Sequence, residues 1–182
     1  MITVESIITD ILKREGGSVD HPKDLGGPSR FGITQRTARV YGWKGDVFDI
    51  EESLARDIYK HMYYVAPGFD SVAVFSKKVA AEIMDTGVNM GVTVAVTFLQ
   101  RALNVLNRSQ RDFPDLQADG MVGPQTLGAL NEFLELRGVA GERVLLRALD
   151  SMQGSRYIEI AEHRMDNEAF VFGWFQHRVG SS

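Results

Sequence analysis

Residues 15–34 read Glu15-Gly16-Gly17-Ser18-Val19-Asp20-His21-Pro22-Lys23-Asp24-Leu25-Gly26-Gly27-Pro28-Ser29-Arg30-Phe31-Gly32-Ile33-Thr34. Upstream, Val4, Ile7, Ile8, Ile11 and Leu12 recur at the helical period, with Thr3 as a candidate N-cap. Gly16-Gly17 supplies the left-handed geometry that ends a helix, so Glu15 falls in the last turn. A helix C-terminus carries partial negative charge and disfavours a carboxylate. Partial burial would disfavour the charged form further, and both effects raise the pKa toward that of a neutral-pH proton donor. Stability alone would put Lys or Arg at this position, and local violations of that kind mark function.

Asp24 follows across a loop that the two glycine pairs allow to turn tightly. It can orient or deprotonate a water, or stabilise positive charge at a reacting carbon, and Ser29 can hold the same water. Two such carboxyl groups serve acid/base cleavage of a glycosidic bond, at about 6.5–9.5 Å for inversion and about 5–5.5 Å for retention. Taken singly, each residue reads as a solvated turn residue. Asp20 and Asp24 lack the spacing and closing Glu of a calcium loop.

The remainder is a nearly all-α pattern around one small irregular lobe. Residues 16–48 are loop with a short hairpin around Phe31 to Thr34 and a second short helix over Thr34 to Tyr41. Asp49-Ile50-Glu51-Glu52 resembles a capping box, opening a helix with Leu54, Ile58 and Met62 on one face until Pro67-Gly68. Helices are expected from Ser76 to Thr86, with Val79, Ala80, Ile83 and Met84 inward, and from Val92 to Leu106. Pro124 suits the first position of another, which Gly138 ends. A long helix from about Gly141 to His163, bent at Gly154, and an aromatic segment from Glu168 to Val179 complete the chain.

With 44% hydrophobic residues, the 182-residue chain can bury a real core as one domain or two small lobes. A net charge of −4 argues against nucleic acid as a partner and against long-range attraction to an anionic wall or membrane. No cysteine excludes disulfide and thiolate chemistry. Met1 to Arg14 lacks the pattern of a signal peptide, and no apolar run suits a membrane span. The four histidines show no metal-ligand spacing, and the P-loop and the G-x-S-x-G elbow are missing, so no metal or organic cofactor is expected.

The gapless run from Glu15 to Thr34 resembles the motif of the phage-endolysin muramidases of glycoside hydrolase family 108, approximately E-G-G-Y-x-N-D-P-x-D-x-G-G-x-T-[KR]-[YF]-G-I-[ST]. That family also includes proteins named as secretion activators. The resemblance implies a mainly α, lysozyme-like fold: a helical bundle lobe plus a small irregular or β-hairpin lobe holding the active-site loop. It implies Glu15 as catalytic acid, completed by Asp24 and Ser29 in a Glu-Asp-Thr/Ser triad. Ser29 replaces the usual Thr, Ser18 a frequent aromatic, and Asp20-His21 an Asn-Asp pair.

Asp85-Thr86-Gly87-Val88-Asn89-Met90-Gly91, with Leu99 to Leu103, resembles the start of the family's second, peptidoglycan-binding segment. Asp119-Gly120-Met121-Val122-Gly123-Pro124-Gln125-Thr126 resembles its D-G-x-x-G-P-x-T turn. The expected organisation is a lysozyme-like catalytic segment over residues 1–90 and a helical segment over 91–182, packed into one globule. Asp85, Asn89 and Gln100 are candidate hydrogen-bond partners for sugar amides, and Tyr63 (with Tyr59 and Tyr64) a candidate stacking platform. Capping and core packing are the competing roles.

The resemblance thus implies a monomeric N-acetylmuramidase cutting the β-1,4 bond between N-acetylmuramic acid and N-acetylglucosamine. It implies a phage protein that accumulates in the host cytoplasm until a holin opens the membrane. The alternatives are a lytic transglycosylase, which needs no water-activating Asp, and a non-catalytic wall-binding or secretion-accessory protein.

Overall fold

The computed structural model describes residues 3–15, 18–19, 28–163, 168–177 and 179–180. They form a mainly α, lysozyme-like fold with one small sheet. The chain divides into two compact units, one of Val4–Ala66 and one of Pro67–Ser182 with Met1–Thr3.

The first unit opens with α1 (Val4–Glu15), whose Ile7, Ile8, Ile11 and Leu12 are buried as their period requires. Helix α1 packs against α3 (Glu52–Lys60), which buries Ala55, Ile58 and Tyr59. The Arg56 guanidinium donates to the Thr9 hydroxyl at 3.1 Å, and Lys60 pairs with Glu5 at 3.4 Å. In chain order between these helices comes a three-stranded antiparallel sheet of β1 (Ser18–Val19), β2 (Ser29–Arg30) and β3 (Ile33–Thr34), the strands neighbouring one another in that order. Phe31 and Gly32 join β2 to β3 with φ of 53° and 72°. Positive φ at both central residues is the signature of a tight hairpin turn matched to strand twist.

Thr34 then caps α2 (Gln35–Tyr41) by accepting from the Thr37 N–H. The Gln35 amide ties α2 to the following loop, donating to Gly45 O and accepting from Val47 N. Arg30 reaches from β2 to the Phe48 carbonyl.

The expected capping box is not formed. Asp49 lies in a 3₁₀ turn, Val47–Asp49, capped by Asp46, and α3 begins after Glu51 without a side-chain cap. Met62 does not continue the buried face of α3, because the helix widens into a π turn at His61–Val65 that rotates it outward, to 38% exposed.

The second unit is a helical bundle built on α5 (Lys77–Met90), of which every residue from Val79 to Gly87 is buried. Helix α5 packs against α4 (Phe69–Ala73), α6 (Val92–Leu106) and α7 (Pro124–His163), and α7 also packs on α8 (Glu168–His177). Ser76 starts α5 by accepting from Val79 N while donating to Glu142 on α7, 2.7 Å away. Helix α7 breaks at Gly138 (φ 56°, ψ −150°) but stays helical through Gly154, where a bend was expected. Gly154 instead receives the Phe175 ring, and Trp174 stacks on Tyr157 at 4.7 Å. Trp174 is thus half-buried against Tyr157, while Phe175 (38%) and Phe172 (79%) remain exposed.

Two polar arrays lie inside this unit. Gln100 and Asn104 on α6 and Asn107 at its C-cap recur at helical spacing and satisfy the backbone of the irregular segment that follows, up to residue 123. Asn104 exchanges two hydrogen bonds with the Leu116 backbone. Asn107 accepts from Gln110 N and donates to Phe113 O. Gln100 accepts from Gly120 N and donates to Asp119, Met121 O and Thr126. Gly120 is required there: its φ is +75°, and a Cβ would stand 2.5 Å from Thr93.

The second array joins α5 and α7. Gln153 donates to Asp85 and Thr86 at 3.1 Å each. Glu82, 1% exposed, has no hydrogen-bond partner among the described residues for either carboxylate oxygen. Burial, reinforced by the charges of Asp150 and Asp85, pushes Glu82 up to about 8. The unfolded chain releases this proton near 4.5 and the folded chain near 8, so the folded state holds the extra proton between those values. The Glu82 contribution to stability is therefore complete below about pH 4.5 and is lost as pH rises to about 8. Glu82→Gln, which cannot ionise, is expected to flatten the fall in melting temperature over that window, an effect on the order of a few kcal/mol. Parallel melting curves of the two proteins against pH would contradict this.

Candidate active site

Glu15 ends α1, and its carboxylate reaches the β2–β3 turn. A Cβ placed on Gly32 would lie 2.8 Å from Glu15 Oε2, 3.0 Å from Glu15 Cγ and 2.8 Å from the Tyr59 hydroxyl. The bare Cα of Gly32 is thus the wall against which a carboxylate and a phenol both rest. Tyr59 arrives from α3 and donates to the Phe31 carbonyl at 2.7 Å, which fixes the turn. Burial first, then the charge of Glu15, pushes the Tyr59 phenol well above the ordinary tyrosine range, so the hydroxyl remains a donor.

Glu15 itself is exposed, where partial burial was expected. The reason is local: it is the last residue of the helix, and its side chain runs across the turn rather than into the core. Ser29 lies half-buried in the central strand, paired with Val19 and Thr34, three residues before Gly32. Asp24 lies outside the described residues, as do Gly16, Gly17 and His21.

The four residues considered for sugar contacts separate by burial. Asp85 and Gln100 are interior, at 3% and 2% exposed, with Asp85 holding Gln153 and Gln100 spent on the Asp119–Gly120 turn. Both are thus engaged with neighbouring groups among the described residues. Asn89 is half-buried and donates to the Asp85 carbonyl of its own helix at 2.6 Å. Tyr63 is half-buried and stacks on Tyr59 with centroids 6.1 Å apart and planes 16° apart. Tyr59, also weighed as a sugar platform, is instead a buried wall of the turn.

Two family models tile the sequence. Glycosyl hydrolase 108 matches residues 8–91, and the Predicted Peptidoglycan domain matches residues 94–179. The chain thus carries a glycosyl hydrolase 108 match followed by a peptidoglycan-domain match. It is a lysozyme-like glycoside hydrolase acting on peptidoglycan, which is also its binding partner. The solved structure of SagA from Brucella abortus is similar in fold, with a TM-score of 0.55 and 22% identity, over 98% of this chain and 97% of that chain. No curated protein sequence matches.

The glycosyl hydrolase 108 match contains Glu15, Ser29, Gly32, Tyr59 and Tyr63. Its end near residue 91 differs from the Ala66–Pro67 division of the compact units, because α5 packs with α4, α6 and α7. Sequence reading passed over Gly32 and the turn-fixing role of Tyr59. The available signal was a glycine between two apolar residues in a two-residue hairpin, but its partners come from α1 and α3. Gly32→Ala is expected to displace the Glu15 carboxylate and lower peptidoglycan turnover by roughly 10²-fold, as ångström-scale misplacement of a reacting group does. Its melting temperature should fall by only a few degrees, and wild-type turnover would separate Gly32 from the site.

Proposed function

We propose that the protein is an N-acetylmuramidase, hydrolysing the β-1,4 bond between N-acetylmuramic acid and N-acetylglucosamine in peptidoglycan. The observation that carries this reading is the Glu15 carboxylate set against the Gly32 turn beside the Tyr59 hydroxyl, within the segment matching glycosyl hydrolase 108. Glu15 protonates the glycosidic oxygen as the bond to the anomeric carbon breaks. Asp24 orients or deprotonates the water that attacks that carbon, and the Ser29 hydroxyl holds the same water. Tyr59 keeps the turn closed, so Glu15 meets a fixed backbone. The proposed setting is host lysis by a phage or prophage, with release from the cytoplasm through a holin-opened membrane.

The test is mass spectrometry of fragments from purified peptidoglycan after borohydride reduction, with wild type and Glu15→Gln side by side. Reduced muramic acid ends from wild type alone are expected. Anhydro-muramic ends would establish a lytic transglycosylase, reduced glucosamine ends a glucosaminidase, and no fragments from either protein a wall-binding or accessory role. Asp24→Asn is expected to lose most activity. Ser29→Ala should lose less, because a positioned water retains its other partners, and a complete loss would assign the hydroxyl a larger part.

A further inference from the structure

A groove of about 340 Å³ runs between α6 and the C-terminal part of α7, within the range of small-ligand sites. Phe98 is its buried residue, Val94, Thr97 and Met152 are half-buried, and Arg101, Arg156 and Glu159 lie around them. Thr97 and Arg101 are one helical turn apart on α6, so they share a face. Arg156 and Glu159 face each other across a turn of α7, paired at 2.8 Å and each about half exposed.

Arg101 is the exposed cation on the α6 side of this groove. It is exposed and makes neither an ion pair nor a hydrogen bond with any described residue. Two guanidinium groups and one carboxylate leave the groove locally positive on a chain whose net charge is −4. A guanidinium presents a planar fork suited to carboxylates. A sugar platform would instead need an open aromatic face, and Phe98 is only 8% exposed.

We propose that this groove binds the stem peptide of peptidoglycan, with Arg101 taking a stem carboxylate. The stem alternates alanine methyls, free carboxylates and, at the diamino acid, an amine. The methyls suit the half-buried Val94 and Met152 of the groove, and Glu159 offers the amine an acceptor. The inference rests on peptidoglycan being the partner, which the family match over residues 94–179 names without assigning a groove or a moiety.

The probe is the free tripeptide L-alanyl-γ-D-glutamyl-diaminopimelate, titrated calorimetrically into the full chain, beside a tetramer of N-acetylglucosamine. Saturable binding of the tripeptide is expected. Arg101→Ala should weaken it about 10- to 100-fold, the worth of one charge-assisted hydrogen-bonded contact. Arg101→Lys should recover part of the loss, and Arg156→Ala should weaken binding with the melting temperature unchanged. No saturable binding of the tripeptide, equal binding by Arg101→Ala, or Arg101-dependent binding of the sugar tetramer would each overturn the proposal. Fragment release by wild type is measured in the same preparation. Fragments with Arg101-independent tripeptide binding would remove this inference and leave the muramidase. Arg101-dependent binding without fragments would do the reverse.

Discussion

The contact between the Gly32 Cα and the Glu15 carboxylate is the constraint on which the candidate site depends. A side chain at position 32 would occupy the space that Glu15 Oε2 and the Tyr59 hydroxyl now share. The turn also demands positive φ at two successive residues, which costs Phe31 more than glycine. The Tyr59 hydrogen bond to the Phe31 carbonyl helps hold that strained residue in place. Helix α1, the hairpin and α3 thus meet at one glycine, and each supplies something the others lack: a carboxylate, a close backbone and a donor.

The second unit is organised by buried polar groups as much as by its apolar core. Gln100 uses both ends of its amide on the Asp119–Met121 turn, so the irregular segment before α7 is held without regular structure of its own. Those hydrogen bonds also hold the Asp119 carboxyl below the usual carboxylate range. Glu82 is the opposite case, a carboxyl group without a partner among the described residues and beside two other acids. Ionising it would place an uncompensated charge in the interior, so the bundle is most comfortable with Glu82 neutral. Asp85 shares this interior, where it accepts from Gln153.

Local signals in the sequence carry much of the architecture. The α1 period, the Thr34 and Ser76 caps, the bounds of α6, and Pro124 at the start of α7 each depend on residues within a few positions of one another. The failures have equally local physical causes. Asp49 was read as part of a cap, but the 3₁₀ turn capped by Asp46 consumes it first. Met62 was read on the α3 face, but one π turn shifts the register. At the site, Glu15 was legible because a carboxylate at a helix C-terminus is locally unfavourable. Gly32 and Tyr59 were not, because their roles exist only once segments far apart in sequence meet.

Charge decides how such a protein can hold its polymer. With a net charge of −4, the whole molecule gains nothing from long-range attraction to an anionic wall. Recognition must come from contacts within a Debye length, about 8–10 Å at ordinary salt. An unpaired guanidinium on an acidic chain is suited to that task, because its pairing energy is not already spent on a neighbour. Arg108, which is bound to Asp112, and Arg56, which is bound to Glu52 and Thr9, have their donors engaged inside the protein. Arg101 keeps its donors for a ligand, and the helical spacing of α6 sets it in a groove that also holds Val94, Met152 and the Arg156–Glu159 pair. Specificity for a molecule that alternates methyl and carboxylate groups then follows from the alternation of the groove itself.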